Sequence, residues 1–306
     1  MQFIDEQRVS ELLSLEELIP AMRQALIDFS GGAIRQPARR FVDVPGSTGF
    51  FGAMPAAASG ALGAKLVSAY PDNGSKGLAA HHAVIVMFDP STGVPIVSMD
   101  GRLITELRTA AVTAAFLDAA APETIRSVAV LGAGLQAHAH IDALRLVRRF
   151  DDLRIWNRTA SRAEHLAAET GGRSMTCEQA VRDADVVIVA TASREPVLDG
   201  NWLKPGARVA SVGWSGQDGA ELDAVTMSNV VIVDSREGTA AESGNVRRYA
   251  PQIRGELGEL FAGRIQVDAD ETVVFDSIGM ACQDVVAAAL VCRKLKGCLV
   301  DLNGRP

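Results

Sequence analysis

The sequence predicts an α/β protein of two parts, each built around its own β-sheet. In the first hundred residues, strand-like apolar runs follow one another with short polar turns, which is typical of an antiparallel sheet. From residue 125 onward, buried strands alternate with helices, which is typical of a doubly wound parallel sheet. With 306 residues, the chain is long enough for two separate hydrophobic cores.

The first part is predicted to contain five strands and one helix before them. Ser14 to Glu17 form a capping-box pattern, and the helix that they open is expected to end at Gly31-Gly32. A second, longer helix over 104–121 follows the sheet and ends before Pro122. In chain order, the expected strands are 38–44, 49–54, 64–70, 82–88 and 94–99.

The second part opens with a strand that runs directly into a glycine turn and a helix. Gly132, Gly134 and Ala137 give the pattern G-x-G-x-x-A, which binds the pyrophosphate of a dinucleotide in a Rossmann fold. Gly132 permits the tight turn, Gly134 lets the backbone approach phosphate, and Ala137 lets helix and strand pack closely. The helix that follows offers free N–H groups to an anion. The sequence therefore predicts a dinucleotide-binding Rossmann domain.

The second strand of this domain ends in a basic turn, Asn157-Arg158-Thr159. An acidic residue at this point would bond the ribose 2′-hydroxyl of NAD and would repel a 2′-phosphate, whereas Arg158 can pair with that phosphate bidentately. A lone loop arginine is more often only a solvated charge, but this position favours the cofactor role. We expect NADPH to be the preferred cofactor, with weaker binding of NADH.

Composition argues against several other classes of protein. A net charge of −7 is unsuited to binding nucleic acid, and no apolar run approaches the roughly 20 residues of a membrane span. The first residues do not resemble a signal peptide, so we expect a cytoplasmic protein. The 4 cysteines form no C-x-x-C pair and are expected to be reduced thiols. His138 and His140 lie two apart on a helix and do not share a face, so no metal site is expected.

Motifs along nearly the whole chain resemble the ornithine cyclodeaminase/mu-crystallin family. In chain order they are Gln36–Arg39, Ala64–Val67, Asp100-Gly101, Arg108–Ala114, Val130–Ala137, Ile155–Thr159, Glu195–Leu198 and Phe275–Ala281. The resemblance implies a substrate-binding and dimerisation domain over residues 1–118, joined by a C-terminal helix over 284–306. It implies a Rossmann NADP-binding domain over residues 119–283 and, for the whole protein, a homodimer.

The resemblance also assigns site residues. Substrates of the family carry a carboxylate next to the reacting C–N bond, and Arg39 and Arg108 fall at the positions that hold it. Lys65, in an otherwise apolar strand, is expected to assist carboxylate binding or proton transfer. Arg40 is expected to be a surface charge, and His81 is equally a proton shuttle or a structural histidine. The expected cofactor contacts are Thr109, Gly132, Gly134, Leu135, Gln136, Asn157, Arg158, Thr159, Thr191, Val212, Ser215 and Ser277.

Ser215 favours reduction over deamination. The resemblance places it where ornithine cyclodeaminase carries a catalytic aspartate, and a serine cannot be the carboxylate base for an amine proton. We therefore expect NAD(P)H-dependent reduction of a small cyclic ketimine, of the pyrroline-2-carboxylate or piperideine-2-carboxylate type, to the cyclic amino acid. The alternatives are an ornithine cyclodeaminase or alanine-type amino-acid dehydrogenase, and an NADPH-dependent small-molecule binding protein without turnover.

The cofactor assignment predicts tighter binding of NADPH than of NADH, because Arg158 would pair with the 2′-phosphate that only NADPH carries. The measurement is the ratio of the two dissociation constants under the same conditions. A preference for the non-phosphorylated cofactor would contradict the assignment.

Overall fold

A computed structural model describes residues 2–213 and 218–295 of the chain. These residues form two units. Unit 1 contains the described residues up to Arg108 and from Met280 onward, and unit 2 contains those of Thr109–Gly279. The first boundary thus falls inside the helix that follows the first sheet, whereas the domain boundaries expected from the sequence lie further along the chain, at residues 119 and 284.

Unit 1 is built on a six-stranded sheet. Its strands are β1 (Gln2–Ile4), β2 (Arg40–Asp43), β3 (Phe50–Ala58), β4 (Ala61–Ala69), β5 (His81–Phe88) and β6 (Pro95–Asp100). They lie in the order β1-β6-β5-β4-β3-β2. Every neighbouring pair is antiparallel except β1 with β6. The mainly antiparallel sheet confirms the sequence prediction, which missed only the three-residue β1.

Helices cover one face of this sheet. They are α1 (Glu6–Leu12), α2 (Leu15–Ser30) and the C-terminal helix α11 (Ala281–Lys294), which packs against α2, β3 and β4. Since side chains alternate along a strand, Gly63, Lys65 and Val67 of β4 face the helices and are buried. The alternation along β4 thus places one charged side chain, Lys65, on the buried, helix-covered face of the sheet.

The start of α2 differs in detail from the expected capping box. Ser14 stands at the N-cap, but its hydroxyl donates to Glu17 Oε2 at 3.3 Å instead of capping a backbone N–H. The Glu17 carboxylate also pairs with Lys294 at the end of α11. The Glu17 carboxylate, which a capping box would use within α2, is therefore paired with Lys294 of α11 instead.

Unit 2 is built on an eight-stranded parallel sheet. In chain order the strands are β7 (Ser127–Leu131), β8 (Asp152–Trp156), β9 (Arg173–Ser174), β10 (Val186–Val189), β11 (Arg208–Ser211), β12 (Val230–Val233), β13 (Ile253–Glu256) and β14 (Val273–Asp276). Their order in the sheet is β13-β12-β14-β11-β10-β7-β8-β9. The chain runs outward from β7 to β9 and then crosses back to β10, which confirms the doubly wound prediction. The reversal between β7 and β10 is the point where such sheets bind ligands.

The helices of unit 2 connect these strands. They are α4 (Leu135–Val147), α5 (Ala160–Thr170), α6 (Cys177–Val181), α7 (Ala224–Met227), α8 (Arg236–Glu242), α9 (Gly244–Tyr249) and α10 (Leu257–Phe261). A further helix, α3 (Arg102–Ala120), carries the boundary between the units. Among the residues that the structure describes, no helix combines the length and apolar character needed to cross a membrane.

Candidate active site

The glycine turn after β7 contains one glycine required by the protein's own packing and one that faces open space. Gly132 has a φ of 117°, and a Cβ added there would lie 2.3 Å from the carbonyl oxygen of Ala190. A Cβ at Gly134, the N-cap of α4, would meet no atom within 4 Å. Ala137 is fully buried, which allows α4 to approach the strand closely. The open space over Gly134 and the start of α4 fit the pyrophosphate of a dinucleotide.

Most of the expected cofactor residues lie at one edge of the parallel sheet, just beyond the carboxyl ends of neighbouring strands. In the order of the sheet, Asn157, Arg158 and Thr159 follow β8; Gly132, Gly134, Leu135 and Gln136 follow β7; Thr191 follows β10; Val212 follows β11; and Ser277 follows β14. These five strands are adjacent in the sheet, so the residues form one continuous edge that we call the cofactor edge. Thr109 is instead buried within α3, and Ser215 lies outside the described residues.

The turn after β8 presents a positive side chain to solvent. Arg158 and Thr159 are exposed, while the Asn157 side-chain amide donates to the carbonyl oxygen of Thr159 at 3.0 Å. This bond fixes the turn and leaves the Arg158 guanidinium at the end of the second Rossmann strand. Its role in binding a 2′-phosphate stays a prediction.

Glu221 is a buried carboxylate to which sequence reasoning assigned no role. It holds two parts of the cofactor edge together by hydrogen bonds. Its Oε2 accepts from Thr191 Oγ1 at 2.7 Å and Thr191 N at 3.2 Å, and its Oε1 accepts from Ser211 Oγ at 2.7 Å and Gly213 N at 2.9 Å. The residue is 2% exposed. Burial raises the pKa of Glu221 to about 7, although these hydrogen bonds oppose the shift.

The network continues from Glu221 to a second buried carboxylate at the end of β14. Asn245 Nδ2 donates to Ser211 Oγ at 3.1 Å and to Asp276 Oδ1 at 2.7 Å, and Ser243 Oγ donates to Asp276 Oδ2 at 2.5 Å. Burial raises the pKa of Asp276, against these hydrogen bonds. A nearby carboxylate, Asp234, accepts from Ser277 Oγ at 2.9 Å. Polar side chains thus lock the strand ends that form the cofactor edge.

Unit 1 contains a buried ionic cluster centred on Asp284, in the first turn of α11. The carboxylate Oδ2 lies 2.6 Å from Lys65 Nζ, and Oδ1 accepts from Arg108 Nε at 3.0 Å. Asp284 is completely buried, while Lys65 and Arg108 are 3% and 5% exposed. The structure therefore brings together two of the three predicted substrate residues through an aspartate that was not predicted.

The two cations of this cluster retain unused hydrogen-bonding capacity. Arg108 Nη1 donates to Gln283 Oε1 at 2.8 Å, and Lys65 Nζ makes one further contact, to Thr105 Oγ1 at 3.5 Å. Within the described residues, Arg108 Nη2 and the third N–H of Lys65 have no protein acceptor. These donors are available to a bound anion such as a carboxylate.

The charges of the cluster favour the binding of an anion, and the pKa of Lys65 lies in a range suited to proton transfer. Burial lowers the pKa of Lys65 to about 8; Asp284 opposes this shift, and the positive charge of Arg108 adds to it. Burial alone would raise the pKa of Asp284, but the neighbouring charges of Lys65 and Arg108 lower it below its ordinary value. One carboxylate thus faces two buried cations, which leaves a positive excess when Lys65 is protonated.

Arg39 and His81 lie at the margin of the cluster. Arg39 is half-buried just before β2, with its guanidinium carbon 6.0 Å from the centre of the Phe41 ring, and its charge further lowers the pKa of Lys65. Burial lowers the pKa of His81 to about 4, and the charge of Lys65 contributes. His81 is therefore neutral at neutral pH and cannot serve there as a cationic acid.

Two of the residues that sequence reasoning missed share a recognisable signal. Gln283 and Asp284 are the polar pair in the otherwise apolar first turns of α11, and both are fully buried. Polar side chains on a buried helical face require partners, so such a pair indicates either a structural network or a site. The sequence alone could not supply the partners, because Arg108 lies 176 positions away.

Comparison with known proteins identifies the family. The sequence profile of the ornithine cyclodeaminase/mu-crystallin family matches residues 2–298. The chain belongs to this family. Ketimine reductase mu-crystallin from Mus musculus is 40% identical over 299 residues, which cover 94% of this chain and 96% of that protein.

Solved structures agree with this assignment. Thermococcus litoralis Δ1-pyrroline-2-carboxylate reductase, in complex with NADH and L-proline, has a TM-score of 0.91 at 31% identity and covers 95% of this chain and 96% of that chain. An archaeal alanine dehydrogenase dimer with bound NAD has a TM-score of 0.90 at 25% identity and covers 95% and 94% of the two chains. The predicted family and α/β fold class are therefore confirmed.

Asp284→Asn is expected to destabilise the protein strongly, by about 3–5 kcal/mol near pH 6, because it leaves two buried cations without their carboxylate. Without Asp284, the pKa of Lys65 falls below about 8. As the pH rises, Lys65 loses its proton in the folded variant before it does so in the unfolded chain, so folding no longer buries an unpaired ammonium. Because the unfolded chain binds more protons than the folded variant in this range, the free energy of unfolding of the variant increases with pH. The destabilisation should therefore be smaller at about pH 9.

Urea unfolding of the wild type and the variant at both pH values measures this difference. Lys65→Met in the Asp284→Asn background serves as the control, since it removes the uncompensated ammonium and should restore part of the lost stability. An equal loss at both pH values, or no loss, would contradict the described charge pairing.

Proposed function

We propose that the protein is an NADPH-dependent reductase of a small cyclic ketimine, of the pyrroline-2-carboxylate or piperideine-2-carboxylate type, which it converts to the cyclic amino acid. The observation that carries this proposal is the buried cluster of Lys65, Asp284 and Arg108, which offers unused donors to a carboxylate. The cofactor edge of unit 2 supports the dinucleotide. The relatives support the reaction, since they include a ketimine reductase and a pyrroline-2-carboxylate reductase in complex with L-proline.

Arg108 and Lys65 are proposed to hold the substrate carboxylate. Asp284 and Gln283 fix the Arg108 guanidinium through Nε and Nη1, so Nη2 is oriented before substrate arrives. Arg39 adds a third positive charge close to Lys65. A carboxylate held by fixed cations places the adjacent C=N carbon reproducibly, and this positioning is a large part of the catalytic effect.

Lys65 is also the proposed source of the proton. NADPH, when bound, supplies a hydride to the imine carbon, and the imine nitrogen must gain a proton for the product to be a secondary amine. An ammonium with a pKa of about 8 is largely charged at neutral pH and releases its proton more readily than an ordinary lysine. Since the protonated form is required, the rate of reduction should fall as the pH rises through about 8.

The choice of NADPH over NADH rests on the turn after β8. Arg158 is exposed there, and the turn Asn157-Arg158-Thr159 contains no carboxylate that would repel a 2′-phosphate. The solved relatives hold NADH and NAD, so we propose that NADH serves as the weaker cofactor.

We also propose that the protein is a homodimer formed through unit 1. The sheet face opposite Lys65 carries exposed apolar side chains, with Val42, Phe51 and Val84 exposed by 64%, 44% and 36%. Val42 pairs with Phe51, and Leu66 pairs with Val84, so these side chains form one continuous surface. The archaeal alanine dehydrogenase is a dimer. A solution mass of a single chain would contradict this proposal.

The proposed reaction predicts that pyrroline-2-carboxylate causes oxidation of NADPH by the wild-type protein. The loss of NADPH absorbance measures it. Ammonia released from ornithine in the presence of NAD, with no net NADH, would indicate a cyclodeaminase instead. Cofactor binding without turnover on imines and amino acids would indicate a binding protein.

Lys65→Ala is expected to lower the turnover number by about 10²- to 10⁴-fold while leaving the affinity for NADPH unchanged, because Lys65 belongs to unit 1 and supplies a proton rather than a cofactor contact. Arg8→Ala is the matched control, since Arg8 is an exposed cation of α1 that pairs only with exposed Glu11 in the described residues, and its removal should leave the rate unchanged. Equal rates for Lys65→Ala and wild type would remove Lys65 from the mechanism.

A further inference from the structure

The Glu221 carboxylate joins two strand ends that the proposed cofactor must cross. It receives two hydrogen bonds from Thr191, just beyond β10, and two from Ser211 and Gly213 at the end of β11. All four acceptor directions of a carboxylate are thus used within a buried site. A group satisfied in this way holds its donors in a fixed geometry.

The backbone at Gly132 and the backbone at Gly213 lie so close to residues 190–191 that only glycine fits at either position. A Cβ at Gly213 would lie 2.0 Å from the Thr191 carbonyl oxygen and 2.4 Å from Glu221 Oε2. On the other side, a Cβ at Gly132 would lie 2.3 Å from the carbonyl oxygen of Ala190, the residue before Thr191. The backbone is therefore closely packed from the glycine turn after β7, through Thr191, to Gly213. Glu221 holds Thr191 and Gly213 in this arrangement by hydrogen bonds.

The backbone around Glu221 is also held by hydrogen bonds. The carbonyl oxygen of Glu221 accepts from Val197 N at 2.9 Å, and Ala220 N donates to the carbonyl oxygen of Arg194 at 3.1 Å. Glu221 is therefore fixed through both its side chain and its backbone.

We infer that Glu221 is a positioning residue for the dinucleotide: within the cofactor edge, it sets the spacing between the turn after β7 and the residues that follow β10 and β11. This inference rests on the proposed function only in that the ligand is a dinucleotide. In this role Glu221 acts through Thr191 and Gly213, whose backbone N–H groups it accepts from, rather than through a bond to the cofactor.

The chemistry of the site makes glutamine an informative replacement. A glutamine keeps the shape and one acceptor oxygen, but its amide NH₂ would face two of the present donors. The hydroxyls of Thr191 and Ser211 can rotate to accept, whereas the backbone N–H groups of Thr191 and Gly213 cannot. One backbone N–H, of Thr191 or of Gly213, therefore loses its acceptor, whichever way the amide turns.

The test compares Glu221→Gln with Asp185→Asn by direct titration with NADPH in the absence of substrate. Asp185 is a matched control because its carboxylate also receives bonds from Arg126 N, Ser127 N and Ser127 Oγ, but at the amino end of β7 and β10. Glu221→Gln should raise the NADPH dissociation constant by roughly tenfold. Asp185→Asn should lower the melting temperature and leave the dissociation constant unchanged.

A milder variant covers the case in which Glu221→Gln does not fold. Ser211→Ala removes one of the four donors and should weaken NADPH binding in the same direction by roughly threefold. The inference is overturned if Glu221→Gln, or Ser211→Ala where the former does not fold, loses stability like Asp185→Asn while binding NADPH as the wild type does. A wild type that binds NADPH but reduces no ketimine would overturn the proposed reaction and leave the inference standing.

Discussion

The pairing of Lys65 and Arg108 with one buried carboxylate, Asp284, is the interaction on which the proposed site depends. Burying charge is unfavourable unless each group is paired and hydrogen-bonded, and Asp284 makes the burial of both cations tolerable. It does so incompletely, because one carboxylate faces two cations. The remaining positive charge and the unused donors on Lys65 and Arg108 are what we propose a substrate carboxylate binds.

The two units use different physical solutions to hold charged ligands. In unit 1, the proposed partners of the anion are side-chain cations, which residues of the C-terminal helix hold in place. In unit 2, the proposed partners of the dinucleotide are backbone groups at strand ends and at the start of α4. There Gly132 is required by the carbonyl of Ala190, whereas Gly134 keeps open space that a side chain would fill. Glu221 then holds the backbone that forms this surface.

Periodicity and short motifs predicted the sheets, the glycine turn and Lys65 within an apolar strand, because these features depend on neighbouring residues. Asp284 and Glu221 could not be placed in the same way, since each derives its role from partners on other elements of the fold. The capping pattern at Ser14 illustrates the same limit, because Glu17 pairs with distant Lys294. The NADPH preference rests on one loop, and the serine that favours reduction over deamination, Ser215, lies outside the described residues.

The most direct test of the central claim is a crystal structure of the protein with NADP⁺ and L-proline, the expected product of pyrroline-2-carboxylate reduction. The proline carboxylate should lie about 3 Å from Lys65 Nζ and from Arg108 Nη2, with Asp284 still bridging the two cations. A carboxylate bound away from both cations, with the Lys65–Asp284–Arg108 cluster unchanged, would contradict the account.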